Sequence, residues 1–227
     1  MTIRYSTVGI VGTGAMGRGI AQIAAQAGST VQLFDLNPEA CRQAHAAISA
    51  QWDRLQDKGR IDAATADAYK TRLQTAASLG NLHNCDLVVE AAVERLDIKQ
   101  SLFAQLEDIV RPDAVLVTNT SSLSVTAIAA GLKRPAQFAG YHFFNPVPLM
   151  KVVEVIAGLK TDAAVCAGLT EYARQMGHTP VQAQDTPGFI VNHAGRAYGT
   201  EALRIVSEGI TDFATVDRIL KDQVGFK

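Results

Sequence analysis

Apolar residues along this chain fall into short continuous runs, separated by longer stretches in which they recur every three or four positions. The runs at 7–11, 31–34, 86–91, 115–118 and 138–143 have strand length, and all but 86–91 are followed closely by Gly, Asp, Asn or Pro, so each predicts a buried strand. Residues 152–156 predict another, and 179–182 an edge strand, because Pro180 is tolerated at a sheet edge. Between these the period is helical. Helices are predicted over 14–26 with Gly28 as stop, 38–58 with Gly59 as stop, 63–73, 99–110, and 163–176. Ser124 is placed to cap a short helix reaching Ala130. Strands alternating with helices predict an α/β fold of Rossmann type, with a doubly wound, mostly parallel sheet. After Asp185-Thr186-Pro187-Gly188 the pattern is purely helical, over 189–208 and 211–223. Two amphipathic helices are too few to bury a core of their own. The expected architecture is thus a domain over 1–184 followed, over 185–227, by a partial (truncated) all-helical C-terminal domain.

Gly12-Thr13-Gly14-Ala15-Met16-Gly17 follows the first strand and opens a helix, matching G-x-G-x-x-G. Gly12 allows the tight turn, Gly14 lets the backbone approach a pyrophosphate, and Gly17 lets helix and strand pack closely. Asp35 ends the next strand, where an acidic side chain accepts hydrogen bonds from the adenosine ribose and repels a 2′-phosphate. NAD is therefore the expected cofactor, and 1–184 the domain that binds it. The bland reading of Asp35 is that it begins the turn before Pro38.

Composition adds mainly exclusions. A net charge of −1 gives no electrostatic reason for a nucleic-acid or membrane partner. The three cysteines are far apart and show no metal-ligand spacing, which points to reduced thiols in a cytoplasmic setting and to no metal site. No run is long and apolar enough to be a transmembrane helix.

The chemistry converges on His142, toward the end of an apolar strand, and Glu154 twelve residues on. A histidine that accepts a proton from an alcohol needs a partner to fix its tautomer and stabilise the imidazolium, and a carboxylate does both. Alone, a histidine on such a strand is more often a satisfied core residue than a base; Glu154 and the glycine fingerprint turn the reading toward the base. Asn119 and Ser121 follow a strand end, where open α/β sheets bind ligands, although Asn, Thr and Ser there also suit a turn and a helix cap. Asn192 either points back toward the cleft or caps a helix. His45, His83, His178 and His193 read as structural or exposed. Asp53, Asp57, Lys58 and Arg60 read as a solvated charged face.

Taken in order, Gly12 to Gly17 with Asp35, Val88-Val89-Glu90-Ala91-Ala92-Val93-Glu94, Asn119-Thr120-Ser121-Ser122-Leu123, His142 to Glu154, and Asp185 to Asn192 resemble the L-3-hydroxyacyl-CoA dehydrogenase family over essentially the whole chain. The resemblance is strongest to the bacterial branch of phenylacetate or fatty-acid breakdown. It implies reversible, NAD-dependent oxidation of a 3-hydroxyacyl-CoA to the 3-oxoacyl-CoA. His142 would be the base and Glu154 its support. Ser121 and Asn192 would bond the reacting oxygen or thioester region. Glu94, Lys99, Asn119 and Asn145 would line the cofactor and active-site pocket, beside Ala15 and Met16 of the glycine loop. It also implies a helical substrate domain that closes the site and forms a homodimer. One departure is His193, where such families commonly have Arg. The alternatives are a dehydrogenase of a free hydroxy acid and a catalytically weak NAD-binding fragment.

Overall fold

The computed structural model describes residues 3–226. Along them run β1 (Thr7–Val11), α1 (Ala15–Ala27), β2 (Thr30–Phe34), α2 (Pro38–Asp57), α3 (Ala63–Arg72), β3 (Leu73–Thr75), β4 (Leu87–Glu90), α4 (Leu96–Ile109), β5 (Val115–Thr118) and α5 (Val125–Ala129). Then follow β6 (Phe138–Phe143), β7 (Val152–Ala157), α6 (Ala163–Gln175), β8 (Thr179–Gln184), α7 (Val191–Ser207) and α8 (Phe213–Asp222). The strands form one sheet in the order β3-β2-β1-β4-β5-β6-β7-β8. Pairing is parallel except between β6 and β7. Strand order reverses at β1, between β2 and β4. The crevice outside the carboxyl ends of those strands is where such sheets take ligands.

Period-two alternation sends neighbouring strand residues into two cores. Leu87, Val89, Val115, Val117, Tyr141 and Phe143 pack with Ile20 and Ile23 of α1 and Trp52 of α2. Val88, Leu116, Phe138 and Ile156 pack on the opposite face, with Phe103 and Leu106 of α4 and Ile128 of α5. Each such side chain contributes about 1.5–3 kcal/mol by burial. His142 and Glu154 have the parity of Phe138 and Ile156, so they belong to the α4–α5 face.

Several boundaries differ from expectation. Leu73 opens the short strand β3 instead of ending a helix. Helix α4 begins at Leu96, before Lys99; its first apolar residues, Leu96 and Ile98, are exposed and therefore masked the periodicity. Helix α7 starts at Val191 and not at Phe189, because Gly188 and Phe189 both have positive φ, at 77° and 49°. Asp212 accepts from Thr215 N–H and sets the start of α8 at Phe213. β8 is an edge strand, as expected, and runs on to Gln184. No residue of α7 or α8 is buried. Among the described residues, no helix is long and apolar enough to cross a membrane.

Candidate functional site

The turn from β1 into α1 is built from glycines with different duties. A Cβ at Gly12, whose φ is 95°, would lie 2.6 Å from the Ala91 carbonyl oxygen, and one at Gly17 would lie 1.8 Å from the Gly12 oxygen. These two glycines are demanded by backbone packing. A Cβ at Gly14 meets nothing within 4 Å, so this position faces open space. Gly14 is also the N-cap of α1, with no side-chain acceptor and no acidic residue in the first turn. The first N–H groups of α1 are thus free to hold an anion. Ala15 is exposed at the same turn.

A cavity of about 800 Å³ opens from this turn, lined by Gly12, Thr13, Gly14, Asp35, Leu36 and residues of α4. The Asp35 carboxylate is fixed there. Its Oδ2 accepts from Thr13 N–H at 2.8 Å and the Thr13 hydroxyl at 2.9 Å, and its Oδ1 accepts from Asn37 N–H at 3.0 Å. Partial burial pushes this carboxyl up, but those hydrogen bonds outweigh it and hold it below the usual carboxylate range. A carboxylate offers about four acceptor sites, so capacity for a ribose hydroxyl remains. The glycine cradle, free helix amides, cavity and fixed carboxylate together fit a dinucleotide.

A second cavity, of about 400 Å³, adjoins the first and shares Ala91 and Ala92 with it. Met16, Glu94, Lys99, Asn119, Ser121, His142, Asn145 and Asn192 all line it. Every chemical residue singled out from the sequence, apart from Glu154 behind His142, therefore reaches one space. Glu94, Lys99, Asn119 and Asn145 lie with the histidine and not in the glycine-loop cavity.

Inside this site, the His142 Nδ1–H donates to Glu154 Oε2 at 2.7 Å, with both side chains buried. The carboxylate fixes that tautomer, which leaves Nε2 as the nitrogen free to exchange a proton. The other oxygen is not idle: Glu154 Oε1 accepts from Ile190 N–H at 2.9 Å and Val191 N–H at 2.8 Å, at the start of α7. Asn192 stands in that first turn. Asn119 Oδ1 accepts from Phe143 N–H, tying the end of β6 to the loop after β5.

Charged groups brace the Ser121 loop. Lys99 is 1% exposed, with its Nζ 2.6 Å from Glu90 Oε1 and 3.2 Å from Glu94 Oε2. Glu90 is fully buried and also accepts from Thr118 Oγ1 and Ala92 N–H. Glu94 accepts from Thr120 Oγ1, Ser121 N–H and Ser122 Oγ. Burial pushes Glu94 up, but the Thr120 hydroxyl and the Lys99 ammonium outweigh it and hold the carboxyl below its usual range. Thr120 makes the turn contact that sequence alone left open, and Ser124 caps α5 as expected.

Sequence reasoning did not single out Glu90, Thr13, Asp185 or Phe189. Glu90 had a signal, being a carboxylate at the end of an apolar run. Asp185 caps α5 by accepting from Ser124 Oγ, Val125 N–H and Thr126 N–H, a contact across 60 residues that no local pattern announces. The four other histidines contact backbone carbonyls, consistent with structural roles. The charged face at Asp53, Asp57, Lys58 and Arg60 is exposed. Among the described residues no cluster of His, Cys, Asp and Glu could hold a metal ion.

Residues 7–186 match the family description "3-hydroxyacyl-CoA dehydrogenase, NAD binding domain", and residues 188–227 match "3-hydroxyacyl-CoA dehydrogenase, C-terminal domain". The chain is 44% identical over 226 residues to the 3-hydroxyadipyl-CoA dehydrogenase of Escherichia coli (strain K12), covering 100% of this chain and 48% of that protein. It is 42% identical over 216 residues to a probable 3-hydroxybutyryl-CoA dehydrogenase of Deinococcus radiodurans, covering 94% of this chain and 76% of that protein. The crystal structure of 3-hydroxybutyryl-CoA dehydrogenase from Escherichia coli K12 superposes with a TM-score of 0.93 at 43% identity, over 98% of this chain and 47% of that one. The chain spans about half the length of these Escherichia coli relatives.

Proposed function

Because the chain belongs to the 3-hydroxyacyl-CoA dehydrogenase family, we propose that it carries the NAD-binding and proton-transfer machinery of an enzyme that interconverts L-3-hydroxyacyl-CoA and 3-oxoacyl-CoA. The observation that carries this reading is the His142–Glu154 contact, facing a cavity that adjoins the glycine-loop cavity. Gly12, Gly14, Gly17 and the start of α1 would hold the pyrophosphate of NAD, and Asp35 its adenosine ribose. When bound, NAD supplies the acceptor for the hydride leaving C3.

The chain's own residues handle the proton and the developing charge. In oxidation, His142 Nε2 takes the hydroxyl proton while Nδ1–H stays on Glu154 Oε2, so the imidazolium forms beside a carboxylate. In reduction the same Nε2 returns the proton. Negative charge on the reacting oxygen calls for positioned donors, and the Ser121 hydroxyl and Asn192 amide, both at the cavity wall, are suited to supply them. Glu94 and Lys99 hold the Ser121 loop in place, and Asn119 holds the end of β6. Phe144 at the cavity wall and the buried setting of His142 limit water near the transfer.

Residues 185–227 would begin the helical part that meets substrate and a second subunit. Exposed apolar side chains on α7 and α8, among them Leu203, Phe213 and Ile219, support a covered face in the assembled enzyme. A cytoplasmic setting is supported by three free thiols. The test is consumption of NADH with acetoacetyl-CoA, run beside NADPH and beside a free 3-oxo acid. Turnover confined to NADH and the CoA thioester is expected. Absence of NADH binding by calorimetry would overturn the reading; equal use of the free acid would move the substrate class.

A further inference from the structure

Glu154 accepts hydrogen bonds at both ends. Oε2 receives the His142 Nδ1–H, and Oε1 receives the amides of Ile190 and Val191. Ile190, the N-cap residue of α7, brings no side-chain cap of its own. The helix that carries Asn192 is therefore capped by the carboxylate that orients the histidine. This contact depends on the turn before α7, where Phe189 has φ 49°. A bulky side chain in the left-handed region is strained, and such strain persists only where the surroundings over-determine it. Glycine meets the same backbone demand without a steric cost. Yet phenylalanine stands there, 4% exposed, with its ring centroid 5.8 Å from that of His142.

We propose that Phe189 is a positioning residue for the His142–Glu154 pair. Its buried ring, packed against the imidazole, pins the left-handed turn that aims the Ile190 and Val191 amides at Glu154 Oε1; glycine can adopt that turn but has no side chain to hold it. Glu154 is then a pivot between the base and Asn192, and both its oxygens must be acceptors because every neighbour is a donor. A glutamine offers one acceptor end and one donor end, so it can serve the histidine or the helix but not both.

The catalytic part presupposes the dehydrogenase activity proposed above; the amide contacts do not. The experiment compares Phe189→Gly, Phe189→Leu and Glu154→Gln with the unmodified chain, reading kcat, KM for NADH, melting temperature and hydrogen exchange at Ile190 and Val191. Phe189→Gly is expected to lower kcat by roughly ten- to a hundredfold, as small misplacements do. KM for NADH should hold, and exchange at both amides should speed up. Phe189→Leu should recover part of kcat, and Glu154→Gln should speed amide exchange or lose kcat with Phe189 intact. An unchanged kcat in Phe189→Gly, or a loss that follows melting temperature across the variants, would overturn the proposal. If the unmodified chain turns over no substrate, the activity reading fails, and amide exchange still decides: unchanged exchange in both Phe189→Gly and Glu154→Gln sinks the pivot.

Discussion

Glu154 lies directly opposite His142 in the antiparallel pairing of β6 with β7. Paired residues of adjacent strands place their side chains on the same face, close enough to touch. That register brings a carboxylate to 2.7 Å from the imidazole without any loop having to carry either group. Both sit on sheet backbone, which is a stiffer mount than a loop.

His142→Ala removes the proposed proton acceptor while leaving the glycine cradle untouched. The rate with acetoacetyl-CoA is expected to fall by about 10²–10⁴-fold, with NADH affinity by calorimetry nearly unchanged. A variant that binds and turns over like the original would mean that another group is the base.

The glycines of the β1–α1 turn should separate by function. Gly17→Ala forces a methyl against the Gly12 oxygen and should lower melting temperature and expression. Gly14→Ala has room in the free protein and the required φ of −65°. It should melt like the original yet bind NADH poorly, because its methyl would stand where the proposed cradle takes the pyrophosphate. Unimpaired NADH binding by Gly14→Ala would argue against the cradle.

Asp35→Ala removes a fixed carboxylate from the larger cavity. Loss of a charge-assisted hydrogen bond costs about 1.5–3 kcal/mol, so the NADH dissociation constant should rise by roughly ten- to a hundredfold. Discrimination against NADPH should shrink, since the negative charge no longer opposes a 2′-phosphate. Titration of both cofactors measures the ratio directly.

The buried Lys99–Glu90 pair should be costly to break from one side. Glu90→Ala leaves a lysine that is 1% exposed with only the half-exposed Glu94 carboxylate, 3.2 Å away, as its counter-charge. The loss should therefore approach the low end of what breaking a buried pair costs, about 3–5 kcal/mol. Chemical denaturation should show a lowered midpoint. Adding Lys99→Met should restore much of the stability but not the activity, because the brace on Glu94 and the Ser121 loop is then absent. Full recovery of both would leave the pair without a role in the site.

Acid should unfold this protein partly through Asp35, Asp86 and Asp185. For each, burial pushes the carboxyl up, but hydrogen bonds outweigh that and hold it below the ordinary 3.8. A depressed folded value means that the unfolded chain binds protons first. The stability they contribute is thus present above pH 3.8 and is lost as pH falls from there through the folded values. Melting temperature against pH should drop in that window, and Asp185→Asn should flatten the drop. An unaltered slope would assign the acid sensitivity elsewhere.

Much of this molecule was legible in the linear chain because the relevant physics is local. A five-residue apolar run ending in glycine makes a buried strand, three glycines at fixed spacing make the turn into α1, and Asp35 follows at the next strand end. His142 and Glu154 were recognisable as residue types at a spacing that two adjacent strands can bring together. Contacts that join distant segments were not legible. The second acceptor bond of Glu154 reaches 36 residues ahead to Ile190, and the Asp185 cap of α5 reaches back 60 residues to Val125. Whether a carboxylate such as Glu90 is solvated or buried against a lysine depends on which helix packs over the strand end. Nor does phenylalanine announce a left-handed backbone, since that conformation is imposed on Phe189 by what surrounds it. Local sequence sets where the chain turns and which face is apolar; only the packed fold decides which donors meet which acceptors once water is excluded.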